Sequence, residues 1–365
     1  MRRVIGHIDI DYFYAQVEEV ENPSIKGRPV VVCVFSGRTE DSGVVSTANY
    51  KARESGVKSG IPIVTAKRLL MEKDPIFVRL NLAKYESVSA SVMDVVRPQV
   101  DMLEESGIDE AFFDITQKSV GDFGRAVEVA KKIKQSVFDE VHLTCSIGIG
   151  RSKAVAKLGS DVAKPGGLLV IPPERAESFL RGLQVTKLYG VGPKTAEKLR
   201  SLGIRTISQL ASADISDLTD SFGKKLAVYL SSAANGMDDD PVEPNRAPTQ
   251  LSRLVTLRSN TTDPEEALAE LGDALRDLNS KLASQNASYR TLTAIAILTD
   301  LNIKTRSHTF ETPMIDLSSS GDVLLGLFSE LSESTDKEFR RVGVRVSDLS
   351  PNQDQESLAG YLPRP

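Results

Sequence analysis

The alternation of short apolar strands with amphipathic helices in the first half of the chain narrows its possible folds most. Val4–Ile10 is an apolar run that ends in carboxylates, and Tyr12–Val20 keeps apolar residues at helical spacing. Phe123–Val141 has the periodicity of an amphipathic helix, and Leu143–Gly150 that of a buried strand. Two such units predict an α/β (α+β) sheet with helices on one face and carboxylates at strand ends.

Between these units the pattern is more mixed. Pro29–Phe35 is a continuous β-branched run, which predicts a buried strand. Val44–Val64 alternates small, apolar and basic residues around two glycines, which predicts a helix bounded by turns. Val100–Ile115 predicts two strands with a turn near Ser106 and Gly107.

Changes of composition along the chain indicate several domains. Glu174–Gly236 shows short helical patterns with glycines between them and almost no strand signal. Gly236–Pro248 is polar and acidic with three prolines, which is typical of a linker. Beyond it the patterns follow the order βαββαβ, with one helix over Pro264–Ser284, as in a separate domain of about 100 residues.

The overall charge excludes one class of protein. With 45 Lys and Arg against 50 Asp and Glu, the formal net charge is −5, so the chain is not a uniformly basic nucleic-acid coat, although one face can still be basic. No apolar run approaches the roughly 18 residues of a membrane span, and no signal peptide is expected. Cys33 and Cys145 each lie in an apolar run and are expected to be reduced core residues. We therefore expect a soluble, cytoplasmic protein.

Two acidic positions suggest chemistry. Asp9 ends the first strand, and Asp109 and Glu110 follow the turn near Gly107. Neighbours in an ideal strand point to opposite faces, but a turn or bulge would let both acids approach one point. Hard divalent cations bind carboxylate oxygens together with substrate phosphates, and two such ions can clamp an in-line phosphoryl displacement. The alternative is that each is an ordinary solvent-exposed acid at a strand end.

The motifs around these acids resemble the Y-family DNA polymerases, in the DNA polymerase IV (DinB-like) branch and most closely its archaeal members. The matching segments occur in the family order over almost the whole chain: Ile8–Glu18, Gly37-Arg38, Thr47–Arg53, Gly56–Pro62, Ile108–Asp114, Ser146–Lys157 and Lys164–Gly167. The sequence departs from the family pattern at Gly107, where Ser is usual, and at Ser152, where Asn is usual. Neither is a metal ligand, so we expect the geometry or rate to vary, and not the reaction.

The resemblance implies a right-hand polymerase with a ferredoxin-like palm, small fingers, a helix–hairpin–helix thumb and a βαββαβ little finger. It assigns the palm to 1–11 and 79–170, the fingers to 12–78, the thumb to 171–236, a linker to 237–248, the little finger to 249–349 and a flexible tail to 350–365.

The resemblance also implies the metal chemistry. Asp9, Asp109 and Glu110 would be the catalytic, metal-binding carboxylates, and the backbone carbonyl of Ile10 would complete the second site. Two Mg²⁺ ions per active site are expected, and Mn²⁺ would also be accepted. One ion would lower the pKa of the primer 3′-hydroxyl, and the other would hold the triphosphate and stabilise the pyrophosphate. Asp11 lies close by and is interpreted as structural.

For the nucleotide, the family match implies a steric gate at Tyr14, whose ring would lie beneath the deoxyribose and leave no room for a 2′-hydroxyl. The alternative, an aromatic side chain packed in the core, is weaker because strand-like alternation would place Tyr12 and Tyr14 on one face. The other expected nucleotide-binding residues are Phe13, Thr47, Tyr50, Arg53 and Lys164.

The segment from Leu188 to Ile204 has a helix–hairpin–helix signature. Gly190 and Gly192 permit a tight turn, and Pro193 begins the next helix, so a DNA phosphate can lie at the helix N-terminus beside Lys194. Such a hairpin contacts the backbone and not the bases. A plain helical hairpin is the alternative.

The last domain offers a basic surface despite the acidic net charge. Its helices hold acids, so one sheet face can be basic and the helix face acidic. The strand segments carry eight bases, namely Arg253, Arg258, Arg290, Lys304, Arg306, Arg340, Arg341 and Arg345. The resemblance implies a little finger along the DNA backbone, with solvated strand charges as the alternative.

At the tail, Gln355, Leu358, Tyr361 and Leu362 have the spacing of a sliding-clamp-binding peptide. One helical turn would bring the three apolar side chains together as a plug for an apolar pocket. The usual form ends in two aromatic residues, and a random tail is the alternative.

The leading hypothesis is a template-directed DNA polymerase that extends a primer 3′-end with deoxynucleotides in low-fidelity translesion synthesis, without proofreading. Its expected partners are primer-template DNA, deoxynucleoside triphosphates and a sliding clamp, and it would act as a monomer away from membranes. Two alternatives stay open: another two-metal enzyme on a similar palm, such as a nucleotidyl cyclase or a nuclease, and a non-catalytic scaffold for DNA and clamp. His7, His142 and His308 are interpreted as packing or surface residues.

Overall fold

The computed structural model describes residues 1–244 and 248–352. Contacts divide them into two compact units, one of residues 1–35 and 43–244 and the other of residues 36–42 and 248–352. The elements of the first unit are β1 (Ile5–Ile10), α1 (Phe13–Glu21), β2 (Val30–Phe35), β3 (Gly43–Ala48), α2 (Tyr50–Arg53), α3 (Ile63–Leu69), β4 (Ile76–Arg79), α4 (Leu82–Val96), β5 (Met102–Glu105), β6 (Glu110–Asp114), α5 (Phe123–Val141), β7 (Cys145–Gly150), α6 (Lys153–Ala163), β8 (Leu168–Val170), α7 (Pro173–Leu180), α8 (Pro193–Ser201), α9 (Ile207–Ala211), α10 (Ile215–Phe222) and α11 (Lys224–Ala234). Those of the second are β9 (Gln250–Thr261), α12 (Pro264–Ala269), α13 (Gly272–Ser284), β10 (Ala287–Leu298), β11 (Ile303–Met314), α14 (Gly321–Glu333), β12 (Phe339–Ser347) and β13 (Ser350–Pro351).

The largest sheet of the first unit has the strand order β5-β6-β1-β7-β8. The central strand β1 is antiparallel to both neighbours, and every one of its residues is buried. A fully buried central strand fixes the positions of the side chains at its end, where the first predicted carboxylate lies.

Helices cover both faces of this sheet. Ile147 and Ile149 of β7 join α5 in one hydrophobic core. On the other face Gly148 and Gly150 lie against α6, and a Cβ on Gly148 would come within 2.0 Å of the Ala156 carbonyl oxygen. The expectation of helices on one face is therefore wrong, because isoleucine and glycine alternate in β7 and both of its faces allow close packing.

A second sheet of the first unit has the order β3-β2-β4 and its own small core. Its strand β3 and the short α2 occupy much of the segment Val44–Val64, which was expected to be one helix. That expectation is wrong because the β-branched Val44 and Val45 pair with β2, while Gly56 and Gly60 have positive φ angles that end local elements.

Helices α7 to α11 share a separate hydrophobic core. Residues 237–244, within the expected linker, belong to the first unit and are joined to α6 and β5. The Ala154 N–H donates to the buried Asp238 carboxylate at 3.0 Å, and the Glu243 N–H donates to Glu104 at 2.8 Å. This part of the segment is therefore held in place by hydrogen bonds.

The second unit contains a sheet of order β11-β10-β12-β9, with β13 paired to β10 and helices packed on one face. The order βαββαβ is confirmed, but the helix expected over Pro264–Ser284 is divided into α12 and α13. The break falls at Glu270 and Leu271, directly before Gly272, whose helix propensity is low.

Both cysteines, Cys33 and Cys145, are free and buried, as expected from the sequence. Across residues 1–244 and 248–352, none of the helices combines the length and apolarity that crossing a membrane requires.

Candidate active site

The predicted carboxylates meet where β1 and β6 run side by side. Asp9 lies opposite Glu110 in the antiparallel ladder, and the Ile10 N–H donates to the Asp109 carbonyl at 2.9 Å. Because β6 begins at Glu110, Asp109 lies in the preceding turn, which the Gly107 N–H closes onto the Glu110 carbonyl at 3.1 Å. The turn expected near Gly107 thus places both acids beside Asp9.

Burial and the repulsion between neighbouring carboxylates raise the pKa values of Asp9 and Asp109. Burial raises the pKa of Asp9 to about 6; Lys164 opposes the rise, and the charges of Asp109 and Glu110 add to it. Burial also raises the pKa of Asp109, with the charge of Glu110 as the next cause. A cluster of partly desolvated carboxylates is suited to a bound cation, which would relieve the repulsion.

Two lysines of α6 and its end neutralise this cluster. The Nζ atom of Lys164 lies 2.7 Å from Asp9 Oδ2, and the Nζ atom of Lys157 lies 2.5 Å from Glu110 Oε2. Lys164 was expected at the triphosphate and here contacts a carboxylate. Sequence reasoning missed Lys157, which lies on α6 seven residues before Lys164.

The donor set suits a hard divalent cation, but the side chains do not close around one in this conformation. Among the described residues no three His, Cys, Asp or Glu side chains converge closely enough to hold a metal ion. The lysine ammonium groups hold the carboxylate oxygens of Asp9 and Glu110 instead. A cation that binds here would take the place of these ammonium groups.

Two further polar side chains support the site. His7 is fully buried, its Nδ1 lies 2.7 Å from Ser160 Oγ, and its Nε2 lies 3.6 Å from Glu110. Burial lowers the pKa of His7 well below its usual value, so the ring is neutral. Asp11 is buried and accepts hydrogen bonds from the Ser146 hydroxyl at 2.8 Å and the Gly166 N–H at 2.9 Å, which agrees with a structural role.

The aromatic residues after β1 point to different neighbours. Tyr14 is half-buried, and its ring stacks on Tyr85 with centroids 4.3 Å apart, whereas the Tyr12 ring contacts Tyr50 at 5.0 Å. The expectation that Tyr12 and Tyr14 share one face is wrong because Tyr14 belongs to helix α1 and not to a strand. The Phe13 side chain is buried in the core.

The residues expected at the triphosphate form a second cluster beside the first. Arg53 Nε donates to the Ala48 carbonyl at 2.8 Å, its guanidinium lies 3.5 Å from the Thr47 hydroxyl, and it is 5.3 Å from the centre of the Tyr50 ring. The Tyr50 hydroxyl lies 3.5 Å from Asp11, and burial raises the pKa of Tyr50 to about 12. Thr47, Tyr50 and Arg53 therefore present adjacent polar groups.

Comparison with known proteins identifies the family to which this chain belongs. The impB/mucB/samB family matches residues 8–161, its C-terminal domain family matches 248–358, and a SAM-like helix-hairpin-helix tandem matches 183–234. DNA polymerase IV of Methanosarcina acetivorans is 40% identical over 99% of this chain and 100% of its own, and that of Nitrosopumilus maritimus is 36% identical over 99% of both. The chain belongs to the Y-family DNA polymerases. Its group within them is DNA polymerase IV, and the relatives named here are archaeal.

Solved structures agree with this assignment. The Y-family DNA polymerase chimera Dbh-Dpo4(243-245)-Dbh has a TM-score of 0.88 and 36% identity over 94% of this chain and 98% of its own. An insertion ternary complex of Dbh DNA polymerase has a TM-score of 0.66 and 35% identity over the same shares. The chain is therefore a DNA-directed DNA polymerase, and the expected polymerase fold with palm, fingers, thumb and little finger is confirmed.

The hairpin expected in this Y-family thumb is formed. Gly190 has a φ angle of 79°, in the region that favours glycine, and Gly192 directly precedes α8, which begins at Pro193. Lys194 is exposed in the first turn of this helix. The exposed helix N-terminus and the lysine together provide a place for a phosphate.

The basic residues of the Y-family little finger lie on both sides of its sheet. Arg341 and Arg345 alternate with buried valines of β12 and so lie on the face away from the helices. Arg253 forms an ion pair with Asp277 of α13. Arg306 lies 3.6 Å from Glu330 of α14.

The strand bases therefore do not all lie on the face expected to be basic, because successive strand residues point to opposite faces. Arg258 is exposed, with its Nε 3.9 Å from Glu270. Arg340 lies at a bulge of β12. The clamp-peptide residues Gln355, Leu358, Tyr361 and Leu362 lie outside the described residues.

Proposed function

We propose that Asp9, Asp109 and Glu110, with the Ile10 carbonyl, hold two divalent cations, Mg²⁺ or alternatively Mn²⁺, and that this centre adds deoxynucleotides to a primer 3′-end. The observation that carries the proposal is the meeting of three carboxylates at β1 and β6, partly buried and neutralised by lysines. Bound cations would supply Lewis-acid activation of the primer hydroxyl and charge neutralisation of the triphosphate.

The lysines have a second partner in this proposal. When cations replace them at the carboxylates, Lys164 and Lys157 keep their places on α6 and are free to contact triphosphate oxygens. Each ammonium group would then exchange one set of anionic oxygens for another, so its charge stays compensated throughout the cycle.

The remaining nucleotide contacts follow from the second cluster. The Thr47 and Tyr50 hydroxyls and the Arg53 guanidinium face the triphosphate, and Tyr14 lies beneath the sugar as the steric gate. Phe13, whose side chain is buried, contributes through its backbone N–H at the start of α1.

The proposed DNA contacts use the backbone and not the bases. In the thumb they are Gly190, Gly192 and Lys194, and in the little finger Arg258, Arg340, Arg341 and Arg345. Arg253 and Arg306 are left out because their side chains, 29% and 41% exposed, are paired with acids of the helices. Arg258 is kept because its side chain is 91% exposed, although its Nε lies 3.9 Å from Glu270. A protein of negative net charge can bind DNA through such local basic groups.

The polymerase is of the low-fidelity, translesion type in this proposal, without proofreading. The small three-stranded sheet β3-β2-β4 and its short helices supply few side chains to check a nascent base pair. We further propose that it acts as a cytoplasmic monomer and that the tail peptide binds a sliding clamp.

Primer extension tests the proposed centre directly. A primed template with Mg²⁺ is incubated with deoxynucleotides, with ribonucleotides or with no nucleotide, using the wild type and Asp109→Ala/Glu110→Ala. The matched control, Glu128→Ala/Asp139→Ala, removes two exposed acids of α5. We expect template-dependent extension by the wild type and the control, and its loss in the first variant.

Other outcomes would contradict the proposal. Shortening of the primer without nucleotide would indicate a nuclease, and equal activity of both double variants would place the reaction elsewhere. A wild type that binds primed DNA without extending it would support a scaffold.

A further inference from the structure

The ring of Tyr14 stacks on a second tyrosine, Tyr85, to which no role in the site has been assigned. The Tyr14 and Tyr85 rings are stacked, with centroids 4.3 Å apart and planes inclined by 20°. Tyr85 lies in the first turn of α4 and is fully buried, whereas Tyr14 is half-buried. One side of the Tyr14 ring is thus covered by an aromatic surface that belongs to the protein core.

Tyr85 is itself fixed by a hydrogen bond to α1. Its hydroxyl donates to Glu18 Oε1 at 2.5 Å. Glu18 follows Tyr14 by four residues, so both side chains lie on one face of α1, and both contact the same residue of α4. Stacking and hydrogen bond together restrict the rotation of the Tyr85 ring.

A lysine completes this network. Lys84 Nζ lies 2.6 Å from Glu18 Oε1 and 2.8 Å from Glu21 Oε2. Glu18 is only 8% exposed, and a buried carboxylate is stable only when it is paired and hydrogen-bonded. Burial and the Glu18 carboxylate both raise the pKa of Tyr85, so its hydroxyl keeps its proton and remains a donor.

The hydroxyl of Tyr14 is influenced by the charge of one proposed metal ligand. Burial raises the pKa of Tyr14, and the charges of Asp109 and Glu86 raise it further, which places its hydroxyl within electrostatic reach of a proposed metal ligand. The Tyr14 ring is therefore covered by Tyr85 on one face, while its hydroxyl is influenced by the charge of Asp109.

We propose that Tyr85, held by Glu18 and Lys84, is a positioning residue that sets the discrimination between deoxyribonucleotides and ribonucleotides through Tyr14. This rests on the proposed function, in which Tyr14 excludes the 2′-hydroxyl. Exclusion requires a ring that cannot retreat, since a hydroxyl needs little extra room. The stacked Tyr85 ring blocks the direction in which Tyr14 would otherwise yield.

The test measures kcat/KM for a deoxynucleotide and for the matching ribonucleotide in primer extension. Tyr85→Leu removes the stacking surface, and Tyr85→Phe keeps the ring but removes the hydroxyl. Val92→Ala is the matched control, because Val92 is a fully buried residue two turns further along α4. Tyr14→Ala reports the gate itself.

We expect Tyr85→Leu to lower the deoxynucleotide-to-ribonucleotide ratio about three- to tenfold, the scale of one aromatic contact. Tyr85→Phe should restore most of the ratio, and Val92→Ala should leave it unchanged even if the protein is less stable. Adding Tyr85→Leu to Tyr14→Ala should change the ratio no further, since the gate is already absent.

The proposal is overturned if Tyr85→Leu lowers both kcat/KM values in equal proportion while Tyr14→Ala alters their ratio; the gate assignment then stands. If Tyr14→Ala leaves the ratio unchanged, the gate assignment fails and this inference fails with it. Should Tyr85→Leu not fold, Glu18→Ala decides, because it removes the carboxylate that holds the Tyr85 hydroxyl: an unchanged ratio, measured on folded protein, contradicts the positioning role.

Discussion

Lys153 shows how strongly a single buried charge can depend on its partners. Its side chain is 2% exposed, and its ammonium group lies 2.6 Å from Glu104 and 3.1 Å from Asp240. It also lies 5.4 Å from the centre of the Phe112 ring. Lys153 therefore joins the start of α6, strand β5 and the segment 237–244 at one point.

Replacing this lysine should destabilise the protein strongly. Lys153→Ala leaves the largely buried Glu104 carboxylate without its cation, and we expect a loss of about 3–5 kcal/mol in the free energy of unfolding. Lys131→Ala removes an exposed lysine paired with Glu128 and should cost about 0–0.5 kcal/mol. Urea unfolding measures both, and equal losses would contradict the burial argument.

At the residue scale, the sequence indicated the acids of the site better than their surroundings. Asp9, Asp109 and Glu110 are recognisable because each lies at or next to one end of an apolar strand. His7 lies on the same face of β1 as Asp9, and the pairing of β1 with β6 brings it near Glu110. Lys157 reaches the cluster only because α6 packs onto β1. A lysine in a helix gives no sign in the sequence of which face it will meet.

At the scale of secondary-structure elements, the geometry of the site depends on the contact between β7 and α6. Gly148 lies against the α6 backbone, where an added Cβ would meet the Ala156 carbonyl at 2.0 Å and the Ser160 N–H at 2.2 Å. Because α6 carries Lys157 and leads to Lys164, its distance from the sheet sets the distance of both lysines from the carboxylates.

Gly148→Ala should therefore disrupt both stability and activity. Backbone atoms cannot move aside as a flexible side chain can, so we expect a loss of at least about 3 kcal/mol and a strong fall in primer extension. Gly182→Ala is the control, since nothing lies within 4 Å of its added Cβ and its φ angle is not positive. Thermal unfolding compares the two, and a Gly148→Ala melting temperature near that of the control would contradict the close packing.

The order of helices and strands could be predicted from the sequence where the spacing of apolar residues fits only one kind of element, as in α5 and in the βαββαβ unit. It failed over Val44–Val64, where basic residues between apolar ones fit a helix but strand pairing with β2 prevailed. It also failed for the placement of α6, because a sequence period shows which face of a helix is apolar and not which side of a sheet it covers.

At the scale of the whole molecule, an acidic net charge is compatible with a basic surface, because the little-finger sheet carries different arginines on its two faces. The net charge is −5, yet Arg341 and Arg345 line the helix-free face of β12, while Arg253 and Arg306 meet acids of α13 and α14. The Nε atom of Arg341 is buried and is among the described side-chain nitrogens that lack a hydrogen-bond partner. Arg253 and Arg306 are already neutralised by acids of the helices. The pair Arg341 and Arg345 should therefore contribute more to DNA binding than the pair Arg253 and Arg306.

Two double variants with the same net charge test this separation. Arg341→Gln/Arg345→Gln should weaken binding to primer-template DNA and reduce the slope of log affinity against log salt by about 1.8, since each lost phosphate contact contributes about 0.9. Arg253→Gln/Arg306→Gln should leave the slope unchanged, because these side chains neutralise protein carboxylates and release no counterions from DNA. Titrations of labelled primer-template at several salt concentrations measure both slopes. Equal reductions of the slope in the two variants would mean that net charge alone attracts the DNA. A reduction confined to Arg341→Gln/Arg345→Gln would mean that the duplex backbone lies on the face of the sheet to which these β12 side chains point.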